Sequence, residues 1–574
     1  MVRVVGSPDF EGHRMPQPLA SEEPTPDPRR WLALIVLLSG AFMNLLDVSI
    51  ANVALPSIRT ELGASFAEIQ WLLAGYTLAF AALLITGGRL GDIYGRKRMF
   101  LIGMIGFAAA SALCGAAPNP TVLVAARILQ GAAGAIMVPQ VLSTIQVTFP
   151  PEERIKALGA FGATAGLGTV SGPLLGGLLI EADWFGWGWR SIFYINVVIA
   201  LIAVPLAIVL VRESRSPQAA QLDLLGVFLV TAGLLMLVYP IVQGRQNGWP
   251  LWGFAMMIAA IGVLAVFVVH ERRRKAPLVP MELFSRRGFA AGVVVSLFFF
   301  GSVASFFLVM TFFLQYGLGY SPLRAGLTTV PFSLGVGILS VIASRLTPRL
   351  GRVVVWIGAL VMAAGIAGII ATIGHYGPYV HSWQFIPAMA CAGAGMGLVI
   401  APLADIILTG VDRRDAGAAS GVINTAFQVG NALGIAIVGV IFVAMLGSQA
   451  PAATSAVASE LRGALAKAGA PPAIQDQAVA GFQACLHDRV VADDPAVEPE
   501  SCKAIAAQQA QLPPQTAATV GPAFAAAATE ARERAYGTAT QHTLAYQVGL
   551  MIMTFLLMLL LPSRKPRTVG PGAG

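Results

Sequence analysis

Asp47 stands in NLLDVSIANVALP (residues 44–56), one carboxylate inside an otherwise apolar run. An ionised Asp at the centre of a membrane helix costs roughly 2.5–3.5 kcal/mol on insertion scales, so such a residue needs a partner, a proton or a wet cavity. Desolvation favours its neutral form and a nearby cation favours its charge. A group poised between the two can load and release a proton. Arg127 offers that cation. It lies well inside VLVAARILQGAAGA (122–135), at a depth compatible with Asp47, and Gln130 shares its helix face. Asn44 shares the face of Asp47. Three readings stay open: a site that exchanges protons, a permanent ion pair that fastens two helices, or an Arg that snorkels outward from its helix start.

The other titratable groups narrow the choice. The six His and nearly all of the 29 Asp and Glu fall outside the apolar runs or at their rims. Asp405, in APLADIILTG, is the second carboxylate within such a run. It reads either as a second protonation or cation site or as a rim carboxylate. The candidate proton-coupling set is therefore Asp47, Arg127 and Asp405.

These residues need membrane helices to hold them, and the composition supplies them. The chain has 574 residues, 56% hydrophobic and 11% charged, with mean hydropathy +0.73. Soluble chains carry about 25% charged residues. Fourteen apolar segments fall near 31–56, 68–88, 98–117, 120–143, 155–180, 190–211, 222–242, 251–270, 288–315, 323–346, 353–373, 384–409, 417–446 and 542–561. Each is long enough for a hydrocarbon core of ~30 Å, which predicts an all-α polytopic membrane protein with fourteen spans. The net charge of +8 then reads as topology and not as a nucleic-acid footprint, because no soluble basic domain is visible. The first thirty residues lack the apolar core of a signal peptide and predict a disordered, uncleaved tail. No CxxC, HExxH, GxSxG or P-loop occurs, so neither a metal site nor an enzyme is expected.

Basic residues orient the spans. With the N-terminus in the cytoplasm, 26 of the 37 Lys and Arg fall on the cytoplasmic side, in both tails and the loops after even-numbered spans. The short opposite loops hold only Arg59, Arg190, Arg245 and Arg324. The positive-inside rule expects this asymmetry, with both termini cytoplasmic. Residues 447–541 form one long external segment, Ala- and Gln-rich and weakly helical by composition, carrying Cys485 and Cys502. On the oxidising side these two form a disulfide or stay as free thiols. RLGDIYGR (89–96) and RLTPRLGR (345–352) both read R-L-x4-G-R at an offset of 256, and GPLLG (172–176) echoes GNALG (430–434) at 258. Two six-helix halves, 31–211 and 288–562, with an inserted pair in 212–287, explain both offsets. The tails are 1–30 and 563–574.

GRLGDIYGRKR (88–98) resembles the loop signature between helices 2 and 3 of the major facilitator superfamily. Gly88 and Gly91 would let helices approach, Gly95 permits a tight turn, and Asp92 can pair with Arg96. The resemblance makes Gly88, Asp92, Gly95, Arg96 and Lys97 a conformational latch; a plain cytoplasmic anchor is the alternative. GLGTVSGPLLGG (166–177) is similar to the helix-5 signature of the superfamily's antiporters, which marks Gly168, Gly172, Pro173, Gly176 and Gly177. Those residues also suit simple close packing. LDVSIANVALP, WRSIFYINVV, PLVPMELF, FLQYGLGYSPLRAG and GAASGVINTAFQVGNALGIA look like the EmrB/QacA group of fourteen-helix drug:proton antiporters. The long segment 447–541 departs from that group.

The resemblance implies a multi-pass protein of the cytoplasmic membrane that exports amphipathic drugs or antibiotics in exchange for protons. It needs no cofactor beyond the proton gradient and works in the lipid bilayer as a monomer, without nucleic acid. Asn44, Gln130, Gln140, Gln315, Asn424, Gln428 and Asn431 are the polar candidates for its pocket. Two other functions fit the same sequence: a dedicated exporter of an endogenous metabolite or lipid, and a membrane scaffold or sensor acting through its external segment.

Overall fold

Local signals set most helix boundaries. Ser65 and Glu68 form a reciprocal capping box at one start, and Asn119 accepts Val122 N–H ahead of Pro120 at another. Gly63 closes the first helix in the left-handed region, at φ 64°. The structure, a computed structural model, describes residues 28–215, 222–244, 247–274, 277–279, 281–408, 416–467, 469–491, 498–510 and 514–559. The expected tails 1–30 and 563–574 lie almost wholly outside the described residues, as do Arg413 and Arg414 of the orientation argument.

The described chain is helical: α1 (Arg30–Leu62), α2 (Phe66–Tyr94), α3 (Arg96–Gly115), α4 (Pro120–Thr148), α5 (Pro151–Ala182), α6 (Ser191–Leu210), α7 (Leu224–Gln243), α8 (Leu251–Arg273), α9 (Arg287–Phe312), α10 (Pro322–Leu350), α11 (Val353–Tyr376), α12 (Ile386–Leu408), α13 (Ala416–Lys467), α14 (Pro472–Val491), α15 (Glu500–Ala510) and α16 (Pro514–Met558). Among the described residues, twelve helices are long and apolar enough to cross a membrane. The expected spans 155–180 and 542–561 fall in α5 and α16, outside those twelve. In α5 the apolar stretch that qualifies by composition is only Ser171–Ala182.

Packing repeats itself along the chain. α1 packs on α5 and α6, α2 on α4, and α3 on α4 and α6. The same pairings recur as α9 on α13 and α16, α10 on α12, and α11 on α12 and α16. Two further contacts, α5 with α10 and α2 with α13, join the two sets. α7 and α8 pack together, and α7 lies against both α2 and α13, with Val238 buried against Trp71 and Ala432.

The segment 447–541 differs from the expected loop. α13 runs 52 residues without a break, and α16 runs 45. At 1.5 Å per residue α13 is ~78 Å long, more than twice a hydrocarbon core. Its far half, α14, α15 and the start of α16 make a helical cap with a small core of its own, including Leu461, Phe482 and Phe524. Ala is the strongest helix former, so the Ala-rich sequence continues helically where its hydropathy falls. Cys485 and Cys502 are bonded inside this cap.

Candidate functional site

Five of the first six helices converge on Asp47. The carboxylate is fully shielded, and so are Arg127 and Gln130 to within 1%. Arg127 of α4 forms an ion pair with Asp47 Oδ2. Asp47 Oδ1 accepts from Gln130 Nε2 at 2.8 Å and from Asn196 Nδ2 of α6 at 3.0 Å. Ser111 Oγ of α3 accepts from both amides, at 3.2 and 3.1 Å, and donates to Phe193 O at 2.8 Å. Arg127 also donates to Gln130 Oε1 at 2.7 Å and to Leu72 O at 3.3 Å, and its guanidinium lies 4.3 Å from the centre of the Tyr76 ring. Tyr76 O–H in turn donates to Asn44 Oδ1 at 2.7 Å.

Each oxygen of Asp47 has a hydrogen-bond donor, Arg127 on Oδ2 and the two amides on Oδ1. Outward snorkelling of Arg127 is ruled out by its burial. Asn196 and Ser111 were not foreseen. Asn196 carries a readable signal, as the only side-chain amide in the apolar α6; Ser111 carries none, because a lone Ser is ordinary in a span.

Asp405 takes no part in this network. It is exposed near the end of α12. The expected pocket residues divide in the same way. Asn44 and Gln130 are spent inside the network above. Gln140 is buried between α2 and α4, donating to Gly87 O at 2.8 Å, so it faces packing and not a cavity. Gln315, Gln428 and Asn431 are half-buried and Asn424 is exposed.

At the junction of α2 and α3, Arg96 donates to Asp92 Oδ1 at 2.8 Å, and Gly95 between the two helices adopts φ 113°. Gly88 needs correction as a site of close approach. A Cβ there would meet its nearest neighbour at an ordinary 3.6 Å, whereas at Gly87 it would lie 2.1 Å from Ala135 O. Gly87 and Gly91, one turn apart, form the face that meets α4. Glu213, beyond α6, accepts the backbone N–H of Lys97 and of Arg98 at 3.1 Å each. It supplies a carboxylate to the start of α3, where the helix dipole favours one. Lys97 Nζ donates to Ile208 O at 2.6 Å.

The glycine run on α5 has two partners. Gly168, Gly172 and Gly176 press on α1 beside Asp47; a Cβ on Gly172 would lie 1.8 Å from Ser49 Oγ. Gly177 instead meets α10, where its Cβ would fall 2.4 Å from Leu323 Cα, and Gly326 of α10 abuts Pro173 O. Nearby, Gln315 donates to Val53 O at 2.8 Å and Tyr316 to Pro56 O at 3.0 Å. Both come from a π-helical turn, Phe313–Gly317, at the end of α9. On the cap side, therefore, α1 and α5 are fastened to α9 and α10. Toward the other end of α5, Gly159 and Gly162 face open space.

Residues 37–435 match the family described as Major Facilitator Superfamily. A relative described as "Probable actinorhodin transporter", from Streptomyces coelicolor, is 44% identical over 549 residues, covering 95% of this chain and 93% of that protein. The "Tetracenomycin C resistance and export protein" of Streptomyces glaucescens is 34% identical over 430 residues, 74% of this chain and 78% of its own. Among solved structures, a bacterial homologue of the human lysosomal transporter Spinster, in an inward-facing and unoccupied conformation, superposes with TM-score 0.56 at 19% identity, covering 93% of this chain and 98% of that one.

Proposed function

This chain belongs to the major facilitator superfamily, a family of multi-pass membrane transporters, and from that premise we propose that it is a proton-coupled antiporter exporting amphipathic drugs or antibiotics across the cytoplasmic membrane. The observation that carries the coupling is the sealed Asp47–Arg127 pair with its amide partners. A buried carboxylate whose partners come from α4 and α6 changes its proton affinity whenever those helices shift. Export is supported by a relative described as a resistance and export protein, beside one described as a transporter.

In this reading α5 and the apolar end of α16 also cross, giving fourteen spans with both termini in the cytoplasm. Residues 31–211 and 288–562 are the two halves, and α7 and α8 are the inserted pair. The recurring helix pairings support that division, and the positive-inside bias supports the orientation. The cap side is then external and closed. Opening it means parting Gly177 from Leu323 and Tyr316 from Pro56. Protons enter from outside onto Asp47 and leave to the cytoplasm after the halves rock; each charge moved gains about 2.3 kcal/mol per 100 mV. In this scheme Asp405 is a second protonation or cation site, and Asn424, Gln428 and Asn431 of α13 belong to the substrate pocket.

The test is drug-driven proton release in proteoliposomes. Wild type should release protons when drug is added, and Asp47→Asn should not. An Asp47→Asn protein that still couples drug to protons would remove Asp47 from the mechanism.

A second reading has its own support. The alignment with the actinorhodin-transporter relative covers 95% of this chain and so runs through the cap, whereas that with the tetracenomycin exporter covers 74%. A cap shared with a transporter described for one named product favours dedicated export of an endogenous metabolite. A substrate panel in a pump-deficient host separates the two: a broad profile supports drug efflux, a single substrate the dedicated exporter.

A further inference from the structure

Asp223, His270 and Glu271 meet where α7 begins and α8 ends, and the transport scheme above uses none of them. Asp223 is 2% exposed and Glu271 1%. His270 Nε2 lies 3.0 and 2.9 Å from the two Asp223 oxygens, Gly226 N–H donates to Asp223 Oδ1 at 3.0 Å, and Arg274 Nε lies 3.7 Å from Oδ2. Glu271 Oε2 accepts Val279 N–H at 2.8 Å. Glu271 Oε1 is buried and has no donor. A Cβ on Gly226 would lie 2.6 Å from that oxygen and 2.8 Å from Asp223 Oδ2, so both oxygens border one small space that only glycine leaves open.

Two carboxylates facing one buried space do not both ionise; one keeps a proton. A proton on Glu271 Oε1 turns the orphan acceptor into a donor toward Asp223. The surrounding charges favour a proton over a metal ion. Arg274 stands on one side, and Arg89 of α2, whose field reaches Glu271, Asp223 and Asp92, on another. Glu282, in the turn beside α8, is exposed. Arg89 also donates to Pro277 O in the link from α8 to α9, so the cluster adjoins the loop that carries Asp92 and Arg96.

We propose that Asp223 and Glu271 form a proton-binding site separate from Asp47, in which one shared proton lets the α7–α8 pair dock on α2. The test is infrared spectroscopy of the intact purified protein, read at the protonated-carboxyl carbonyl band. At neutral pH wild type and Asp47→Asn should both show a band that is lost entirely in Glu271→Gln. The same band should fade as pH is raised. Asp223→Asn removes the like charge but leaves Glu271 buried, so its band should fade at a lower pH than in wild type; this variant serves if Glu271→Gln does not accumulate. The absence of any band sensitive to these two substitutions overturns the proposal. So does a stoichiometric divalent metal in the purified protein that His270→Ala abolishes.

Discussion

The first six helices and their later counterparts pack in the same pairings but bury different chemistry. α1, α4 and α6 enclose an ion pair and two amides around Asp47. At the matching contact, α9 against α16, the buried link is Gln547 Nε2 to Ser305 Oγ at 3.0 Å, without a charge. The two sets therefore divide their labour. Among the described residues the first set buries its charged pair, whereas in the second Asp405 is exposed, the buried link at this contact is neutral, and Phe312, Tyr316, Phe442 and Tyr536 form an aromatic cluster from which Tyr316 bonds Pro56 O of α1. Burial makes the distinction matter, because removing one member of a buried pair strands the other.

The sharpest way to break this comparison is to truncate one polar residue in each set. Arg127→Ala leaves Asp47 buried and uncompensated, which costs about 3–5 kcal/mol for a pair of this kind. Thermal unfolding of the purified protein should show a large loss. Gln547→Leu removes a neutral bond whose other end, Ser305, already bonds Gly301 O at 2.8 Å, and should cost about 1 kcal/mol or less. Comparable losses in the two variants would mean that the charge is not what separates the sets.

A second test addresses the seam beside the charge. Gly172→Ala places a methyl group inside the contact with Ser49, where overpacking costs about 1–3 kcal/mol. α5 must shift off α1, and proton release should fall with it. Gly88→Ala, on the helix face that meets only ordinary contact, should leave both stability and proton release near wild type. A harmless Gly172→Ala would mean that α5 does not rely on that approach to sit beside Asp47.

Much of the charged set was legible because membrane burial makes charge expensive. Asp47 and Arg127 stood out from sequence on that ground alone. Asn196, within WRSIFYINVV, does not stand out in the same way, because one amide carries a small insertion cost. The close-approach role of Gly88 was misplaced by one residue because a loop signature does not carry helix phase; Gly87 and Gly91 share the face that meets α4. Gln140 looked like a pocket residue only because polarity in a span suggests a cavity, and here its amide N–H bonds Gly87 O between two packed helices instead. The cap was hidden because hydropathy marks where a span ends and not where a helix does.

The smallest expected effect asks how much charge counts where it is only half-buried. Arg30 of α1 grips Glu153 of α5 through two bonds, 2.7 and 2.8 Å, at the end of the bundle away from the cap. Its hydrogen bonds to Arg30, chiefly, hold the Glu153 carboxyl below the usual carboxylate range. A carboxylate depressed in the folded state contributes stability that is present above its unfolded pKa and lost as pH falls through the folded value. Wild type should therefore lose a slight margin over Glu153→Gln on acidification, with the two converging once Glu153 is protonated. At neutral pH the gap should be far smaller than that for Arg127→Ala, because a pair open to solvent on one side is screened by water and salt. Melting both proteins across the acid range, in low and high salt, checks this. A Glu153→Gln effect that rivals Arg127→Ala, or that salt does not diminish, would show that ion pairing between helices, and not its burial around Asp47, sets the first six helices apart.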